Sequence, residues 1–403
     1  MLCLRFVLSA WALLSLVTSA ATAGTKLTIW EHEKDEDQKV LDEVIATFQK
    51  QNAGVEIKRS HYKTEDLRTQ FQTAALGGGG ADLVLAPNDF AGPFSVMQII
   101  KPTTGFFKPE QFYDSVVAAV TDAQGTTWGL PVSNGNHLML FVNKALVKKT
   151  PATIEELVEE ARRISNPEKK QYGFVYNLNE PFWFVTFMGA FGERPLVGAA
   201  PKLDTDGMVS ALELAKKLKF DDKVVPPDCD YTCAETLFIE GKAGFIINGD
   251  WAVGKYKDQV KDNLEIVALP KLAKTGKFMT PMVSGKYVFF NAALKGNNLK
   301  IARKFGEYLA SAEVQQIWLQ KTGRLPSMKS VGASKELSQD RYLSASLKAT
   351  ENGIAMPMAV EMRAVWDAIR TPLQKVMAGR MEPKAAAFAM QKDAEAKIKE
   401  MRQ

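Results

Sequence analysis

Apolar residues along the first part of the chain recur with two different periods. The run KLTIW (26–30) is typical of a buried strand. The residues that follow recur at helical spacing: Val40, Leu41, Val44, Ile45 and Phe48. They predict an amphipathic helix over about 35–51. VEIKR, TEDLRTQFQTAAL and ADLVLAP then add a strand, a helix and a strand. Strands that alternate with helices indicate an α/β protein with parallel sheets.

The same alternation continues further along the chain. Thr153 and Glu156 have the spacing of a helix capping box, ahead of apolar residues on one helical face. Three later runs predict strands: YGFVYN (172–177), AGFIING (243–249) and KYVFFNA (286–292). After the last of these the pattern predicts only helices, over about 299–311, 312–321, 360–377 and 382–401.

The glycine run GGGG (77–80) separates a predicted helix from a predicted strand. A phosphate-binding loop needs a helix after the glycines and a Lys-Ser/Thr pair, and this chain has neither there. We therefore interpret the run as a helix stop and a loop. No repeat or low-complexity linker divides the chain, so its α/β halves are expected to be lobes that exchange chain segments.

The N-terminus has the three parts of a secretory signal peptide. Arg5 precedes an apolar run over 6–17, and Ala21-Thr22-Ala23 forms a small-residue cleavage site. The run is shorter than the span of about 20 residues that a membrane helix needs. We expect cleavage after Ala23 and export of the mature protein to the periplasm.

Composition narrows the class of protein. The length of 403 residues favours two or more domains. Fifty-one basic residues nearly balance 46 acidic ones, for a net charge of +5. No dense basic block with interleaved aromatic residues occurs, so no nucleic-acid partner is expected.

The cysteines and histidines give one candidate bond and no metal site. Cleavage would remove Cys3 and leave Cys229 and Cys233, an even pair that suggests a disulfide in an oxidising compartment. The spacing of four residues is demanding, so two free thiols remain the alternative. The three histidines lie at scattered positions: His32, His61 and His137. We therefore predict no metal and no cofactor.

The segment NLNEPFWFV (177–185) places one acid beside bulky aromatic residues. Glu180 is either solvated at the start of a core helix, or part of a site for a ligand with apolar faces and hydroxyl groups. A carboxylate is costly when it is buried without a partner, which favours the ligand interpretation.

Four segments together resemble one known family: KLTIW, NLNEPFWF, IINGDWA and MPMAVEMRAVWDAIRTPL. They are similar, in the same order over nearly the whole mature chain, to the periplasmic maltose-binding proteins, which serve ABC sugar importers. The resemblance implies an α/β, two-lobed periplasmic binding protein fold. Each lobe would be a mixed sheet flanked by helices, with the ligand in the cleft between the lobes. The implied domains are a signal peptide (1–23), an N-terminal lobe (24–134 plus 287–330) and a C-terminal lobe (135–286 plus 331–403).

In the C-terminal lobe, the resemblance implies the following ligand-binding residues: Glu180, Pro181, Phe182, Trp183, Trp251, Met356, Trp366 and Arg370. Either Phe182 or Trp183 would face the ligand and the other the core. Trp251 could instead belong to the core, and Met356 could serve packing alone. Trp366 and Arg370 are one helical turn apart and could form a structural stack.

In the N-terminal lobe this chain departs from the family pattern. LAPNDF has Leu85 where the family has a tryptophan, and Asn88 and Asp89 where it has an Asp-Arg pair. Asn136 stands nearest to an acid of the family, and Glu33 or Lys34 matches its first loop. Asn88, Asp89 and Asn136 could equally be turn or capping residues.

The resemblance implies a binding protein, not an enzyme. A monomer would close on a small maltose-like oligosaccharide and deliver it to membrane ABC permease subunits. The changes at Leu85 and Asn136 suggest another preference, such as trehalose, or weaker maltodextrin binding. The alternatives are a binder of another solute and a secreted glycoside hydrolase. A hydrolase would need two paired carboxylates, and no motif of this sequence links such a pair.

Overall fold

The structure, a computed structural model, describes residues 24–401, so the predicted signal peptide lies outside the described residues. No helix in this range is long and apolar enough to cross a bilayer. The strands are β1 Thr25–Glu31, β2 Val55–His61, β3 Leu83–Pro87, β4 Leu130–Gly135, β5 Leu138–Asn143, β6 Tyr172–Val175, β7 Leu196–Val197, β8 Ala200–Pro201, β9 Ala243–Gly249, β10 Leu264–Val267, β11 Met282–Phe290 and β12 Ile354–Ala355.

The α-helices of the described chain lie mainly between and after these strands. They are α1 Asp35–Gln51, α2 Thr64–Leu76, α3 Ala91–Val96, α4 Asp114–Ala118, α5 Ile154–Ile164, α6 Pro181–Gly189, α7 Asp206–Phe220, α8 Tyr231–Ile239, α9 Val253–Val260, α10 Gly296–Leu309, α11 Ala312–Thr322, α12 Lys329–Gly332, α13 Lys335–Gln339, α14 Arg341–Ala349, α15 Glu361–Met377 and α16 Pro383–Met401.

Both large sheets are mixed. The first runs in the order β12-β11-β3-β1-β2, with β4 also paired to β11. Strands β1, β2 and β3 are parallel, whereas β11 runs antiparallel to β3 and β4. The second sheet runs β10-β5-β9-β6, with β9 parallel to β6 and antiparallel to β5. The expectation of parallel sheets was therefore only partly right, because β11 joins β3 from a distant part of the chain.

Two hydrophobic cores underlie the two sheets. The first core takes its buried apolar residues from 27–132 and 287–318, and the second from 138–282 and 319–394. The chain thus passes between the cores at the β4–β5 connection, along β11, and within α11. In α11, Trp318 belongs to the first core and Leu319 to the second. These passages bring segments from distant parts of the chain to the gap between the sheets.

Local patterns predicted several elements well. Helices α1 and α2 follow the amphipathic segments, and α5 begins where the capping box placed it. The hydroxyl of Thr153 accepts a hydrogen bond from the backbone N–H of Glu156 at 3.2 Å. The five apolar residues of the predicted face of α5 are all buried: Ile154, Leu157, Val158, Ala161 and Ile164. The glycine run follows α2 directly, as expected of a helix stop.

The prediction that only helices follow β11 was wrong. The two-residue strand β12 pairs with β11, Ile354 opposite Met282 and Ala355 opposite Val283. Helices α12, α13 and α14, within 329–349, were also not predicted. Elements this short carry too few apolar positions for a period to be read from them.

Gly92 in α3 lets the segment before α15 approach closely. A Cβ atom at this position would lie 1.8 Å from the carbonyl oxygen of Met358. We expect Gly92→Ala to force the two segments apart and to lower the free energy of unfolding by about 1–3 kcal/mol. Urea denaturation measures this. The control is Gly79→Ala, where the nearest atom is 3.6 Å away. Equal stability of both variants would contradict the close approach.

Candidate functional site

A cleft of about 520 Å³ lies between the two sheets and is lined by residues from both sides. Ligand pockets in proteins commonly have volumes of about 300–1,000 Å³. Of the residues predicted to bind a ligand, the following line the cleft: Glu33, Lys34, Asp89, Asn136, Glu180, Phe182, Trp183, Trp251, Met356, Trp366 and Arg370. The structure therefore brings together residues separated by more than 300 positions in sequence.

An aromatic wall forms one side of the cleft, and we define it as Phe182, Trp183, Trp251 and Trp366. Neighbouring rings have their centroids 5.8–6.4 Å apart, Phe182 touching each of the other three. Trp183 also lies 6.0 Å from Trp251 at a steep angle. Such tilted and edge-to-face pairs hold the rings firmly. The wall therefore presents a rigid apolar surface to the cleft.

Local structure explains why these rings face the cleft. Pro181 occupies the first turn of α6, so Phe182 and Trp183 follow at the start of the helix. The indole N–H of Trp183 donates to the carbonyl of Ile247 at 2.9 Å, which ties that ring to β9. Phe182 is the more exposed of the two, although both line the cleft.

Trp251 lies flat against the end of β9. A Cβ atom on Gly249 would stand 2.2 Å from its six-membered ring, so only glycine permits this close approach. Its indole N–H donates to the hydroxyl of Tyr231 at 3.2 Å. The wall is thereby continued by Tyr231, whose ring lies 6.0 Å from that of Trp183.

Charged groups border the aromatic wall. Arg370 donates to Glu180 at 2.6 Å, and both side chains are partly exposed. Burial raises the pKa of Glu180, against the opposing effect of Arg370. Across the cleft, Glu65 of α2 forms an ion pair with Arg363 of α15. Carboxylate and guanidinium groups of this kind form strong, directional hydrogen bonds.

A buried ionic cluster lies on the side of the first core, and we define it as His32, Glu33, Asp37, Lys286 and Arg324. Arg324 forms ion pairs with Glu33 and, at 3.0 Å, with Asp37. The ammonium of Lys286 lies 3.6 Å from Glu33 and 2.9 Å from His32 Nε2. Burial alone would raise the pKa of Glu33, but Arg324 and Lys286 outweigh it, and the pKa lies below its ordinary value.

This cluster retains hydrogen-bonding capacity. Glu33 Oε1, Asp37 Oδ1 and Arg324 Nη1 are buried and have no partner among the described residues. A buried polar atom without a partner is unfavourable, and a ligand hydroxyl can satisfy it. Glu33 and Asp37 line the cleft, so polar groups of a ligand can reach the cluster.

The other first-lobe residues have distinct surroundings. Asp89 accepts from Arg68 at 2.7 Å, and both line the cleft. Lys34 Nζ lies 5.3 Å from the ring centroid of Tyr231, which belongs to the other side of the cleft. Asn136 follows β4 in a left-handed conformation, its N–H donating to Asp250 at 3.0 Å.

Two predicted site residues do not line the cleft. Asn88 is fully buried, and its amide donates to the carbonyls of Ala119 and Met356 at 3.0 and 2.9 Å. Asn88 thus joins segments that are distant in sequence, which is neither the ligand contact nor the turn or capping role considered for it. Pro181 is buried in the first turn of α6 and orients its neighbours. Met356 lines the cleft, although it is nearly buried.

Sequence reasoning missed several residues of the cleft. The most prominent are Asp37, Glu65, Arg68, Tyr231 and Lys286. Lys286 gave a usable signal, because a lysine inside an otherwise apolar strand needs a partner. Tyr231 lies between Cys229 and Cys233, which form a disulfide with their Cα atoms 5.2 Å apart. Among the described residues, no group of three or more His, Cys, Asp or Glu side chains is placed to hold a metal ion.

The chain belongs to the bacterial extracellular solute-binding proteins. The model of that family matches residues 43–345. The cleft between two mixed sheets is the feature of the fold that suits binding of a solute.

Solved and characterised relatives support this membership. The maltose/maltodextrin-binding domain MalE of Bdellovibrio bacteriovorus, solved with maltotriose, is 34% identical and covers 93% of this chain and 100% of its own, with a TM-score of 0.89. The maltotriose-binding protein of Pyrococcus abyssi is 24% identical over 89% of this chain and 79% of that protein. A maltooligosaccharide ABC transporter solute-binding lipoprotein of Streptococcus pneumoniae is 27% identical over 92% and 88%.

His137, in the connection between β4 and β5, is a buried titratable group. It is fully buried, with Nε2 2.9 Å from the carbonyl oxygen of Ser346. Burial lowers its pKa below 6.5, although Asp250 and Ser346 act in the opposite direction. As the pH falls, His137 takes up its proton more readily in the unfolded chain than in the folded protein. Its contribution to stability is therefore fully present above pH 6.5 and is lost as the pH falls toward the pKa of the folded state.

We therefore expect His137→Gln to reduce the loss of stability between pH 6.5 and 5. The slope should fall by at most about 1.4 kcal/mol per pH unit for one proton. Urea denaturation at several pH values measures it, and an unchanged slope would contradict the assignment.

Proposed function

We propose that the protein captures a maltose-like gluco-oligosaccharide in the cleft and delivers it to an ABC importer. The observation that carries this proposal is the aromatic wall facing a set of charged hydrogen-bonding groups across one cleft. The relatives described as binding maltotriose or maltooligosaccharides, and belonging to an ABC transporter, give the sugar class and the partner.

The proposed contacts follow from the shape of a sugar ring. A pyranose has apolar C–H faces and a rim of hydroxyl groups. The faces pack on Phe182, Trp251 or Trp366, since flat aromatic rings match them. The hydroxyl groups bond to Glu180 and Arg370 at one edge and to the buried ionic cluster at the other. A ligand so placed touches both sides of the cleft.

A ligand that touches both sides favours closure of the cleft. It stabilises the closed form by as much as its affinity for that form exceeds its affinity for the open one. We assign residues 24–134 plus 287–330 to the N-terminal lobe and 135–286 plus 331–403 to the C-terminal lobe. The two cores support this division except at Leu319 and Leu325, which pack in the second core. The hinge for closure would lie in the segments where the chain crosses between the two cores.

We also propose that the protein is exported. The signal peptide would be cleaved after Ala23, and the mature protein would act in the periplasm as a monomer. Its partners would be the sugar and the permease subunits of the importer, with no cofactor. Extracellular location of the family supports export. We propose a binding role without catalysis, since the relatives are binding proteins of transporters.

The particular sugar is a separate question, because the N-terminal lobe departs from the family pattern. Leu85 is buried in β3 and offers no ring to a ligand. Asn136 supplies an amide in place of a carboxylate. A glucoside of another linkage, such as trehalose, is therefore the second candidate ligand.

A thermal-shift series on the mature protein tests the sugar class. It uses maltose, maltotriose, trehalose, sucrose, glucose and a set of amino acids. We expect a rise in melting temperature with maltotriose, because a ligand at a hundredfold over Kd stabilises the native state by about 2.7 kcal/mol. A rise with trehalose alone would select the second candidate. A rise with amino acids alone, or with nothing, would refute sugar binding, and release of shorter sugars over time would indicate a hydrolase.

The aromatic wall is tested by one substitution and its matched control. Trp251→Ala should weaken binding of the recognised sugar at least tenfold, which corresponds to about 1.4 kcal/mol. Trp128→Ala also removes an indole, but Trp128 lies outside the cleft and bonds Asp122 at 2.7 Å. It should leave the affinity unchanged. Isothermal titration calorimetry measures both, and equal affinity of both variants and the wild type would place Trp251 outside the site.

A further inference from the structure

The Cys229–Cys233 disulfide encloses three residues, all of which line the cleft. These are Asp230, Tyr231 and Thr232, at the start of α8. The disulfide therefore closes a loop in which every residue between the two cysteines lines the cleft. We propose that this disulfide is a positioning element that holds Tyr231 against the aromatic wall and makes ligand affinity depend on redox state. The proposal rests on the sugar-binding function proposed above.

The disulfide is anchored on its buried side. Cys229 is only 2% exposed and belongs to the second core. Its carbonyl accepts a hydrogen bond from the N–H of Leu178 at 3.0 Å, two residues before Glu180. Next to it, the amide of Asn179 donates to Asp228 at 3.2 Å. The loop is thereby tied to the segment that carries the acid and the first aromatic residues of the site.

Tyr231 is the residue whose position matters most in this loop. Its hydroxyl accepts from the indole of Trp251 at 3.2 Å and donates to Glu235 at 3.3 Å. Its ring lies 6.0 Å from Trp183. A displacement of Tyr231 therefore removes a contact from each of two tryptophans that line the cleft.

Tyr231 also connects the wall to the opposite side of the cleft. Glu235 pairs with Lys255 at 2.9 Å, and Lys255 pairs with Asp35 of α1 at 3.1 Å. Lys34 lies over the ring of Tyr231 itself. The first turn of α8 is thus a point where the two sides of the cleft meet, and its rigidity bears on closure.

The helix itself does not depend on the disulfide. Asp230 caps α8, its carboxylate accepting from the N–H of Cys233 at 2.8 Å. This cap remains when the bond is reduced, so α8 is retained while its entry gains freedom. The ligand must then order the loop on binding, and this ordering weakens affinity.

Reduction proceeds by ordinary thiol–disulfide exchange with a dithiol. Its thiolate attacks the sulphur of Cys233, the more exposed of the two residues, and Cys229 leaves as a thiolate that takes up a proton. The second thiol of the reagent then displaces Cys233, which is protonated in turn. Two electrons and two protons pass to the protein, and the dithiol closes to its own disulfide.

The experiment compares oxidised and dithiothreitol-reduced mature protein, in the wild type and in Tyr231→Ala. Calorimetry with maltotriose gives Kd in each state. We expect reduction to weaken binding about tenfold in the wild type, and less than twofold in Tyr231→Ala, because the bond acts through Tyr231. The variant Cys229→Ser/Cys233→Ser should match the reduced wild type and should not respond to dithiothreitol.

Two results would overturn the proposal. One is the same Kd in oxidised and reduced wild type. The other is an equal loss in both backgrounds, which would mean that the bond supports only general stability. Melting temperature, measured alongside, is expected to fall in both backgrounds and so separates stability from positioning.

A second measurement keeps the proposal distinct from the identity of the ligand. If the oxidised protein binds no sugar, the proposed function fails, and tryptophan emission of the ligand-free protein then decides on the loop. We expect reduction to change this emission in the wild type, since Tyr231 contacts Trp183 and Trp251, but not in Tyr231→Ala. No change in the wild type would refute the positioning role.

Discussion

The two hydrophobic cores are connected by segments of the chain that contribute residues to both. Strand β11 is the most important of these, since it pairs with β3, β4 and β12 while its first residue, Met282, packs in the second core. The first sheet is incomplete without β11 and β12 from distant parts of the chain, whereas the four strands of the second sheet all lie within 138–267. The gap between the sheets is therefore lined by residues from many parts of the chain. The β4–β5 connection, β11 and α11 join the two cores, and residues from both sides line the gap.

The two sides of the cleft have different physical character. One is an aromatic wall that packs ring against ring and presents a flat apolar surface. The other is a buried ionic cluster in which Arg324 and Lys286 compensate Glu33 and Asp37, yet leave some polar atoms without partners among residues 24–401. A ligand with both apolar faces and hydroxyl groups satisfies both sides at once, which neither a purely apolar nor a purely charged solute does.

Local periodicity and the family motifs predicted much of the fold and most of the residues that line the cleft. Helix α1, strand β9 and the cap of α5 followed from spacing, and Glu180, Trp251 and Trp366 from motifs. The ionic cluster did not follow, because Arg324 and Glu33 are 291 positions apart and no local pattern links them. Asn88 and Pro181 were assigned to the site from the family resemblance, but in the structure Asn88 bonds the carbonyls of Ala119 and Met356, and Pro181 lies buried in the first turn of α6. Strand β12 was too short to carry a period.

A crystal structure of the mature protein with maltotriose tests the central claim most directly. The account predicts glucose rings packed on the aromatic wall, with hydroxyl groups bonded to Glu180 or Arg370 on one side and to Glu33 or Asp37 on the other. Sugar bound away from this cleft, or held without any contact to the wall, would contradict it.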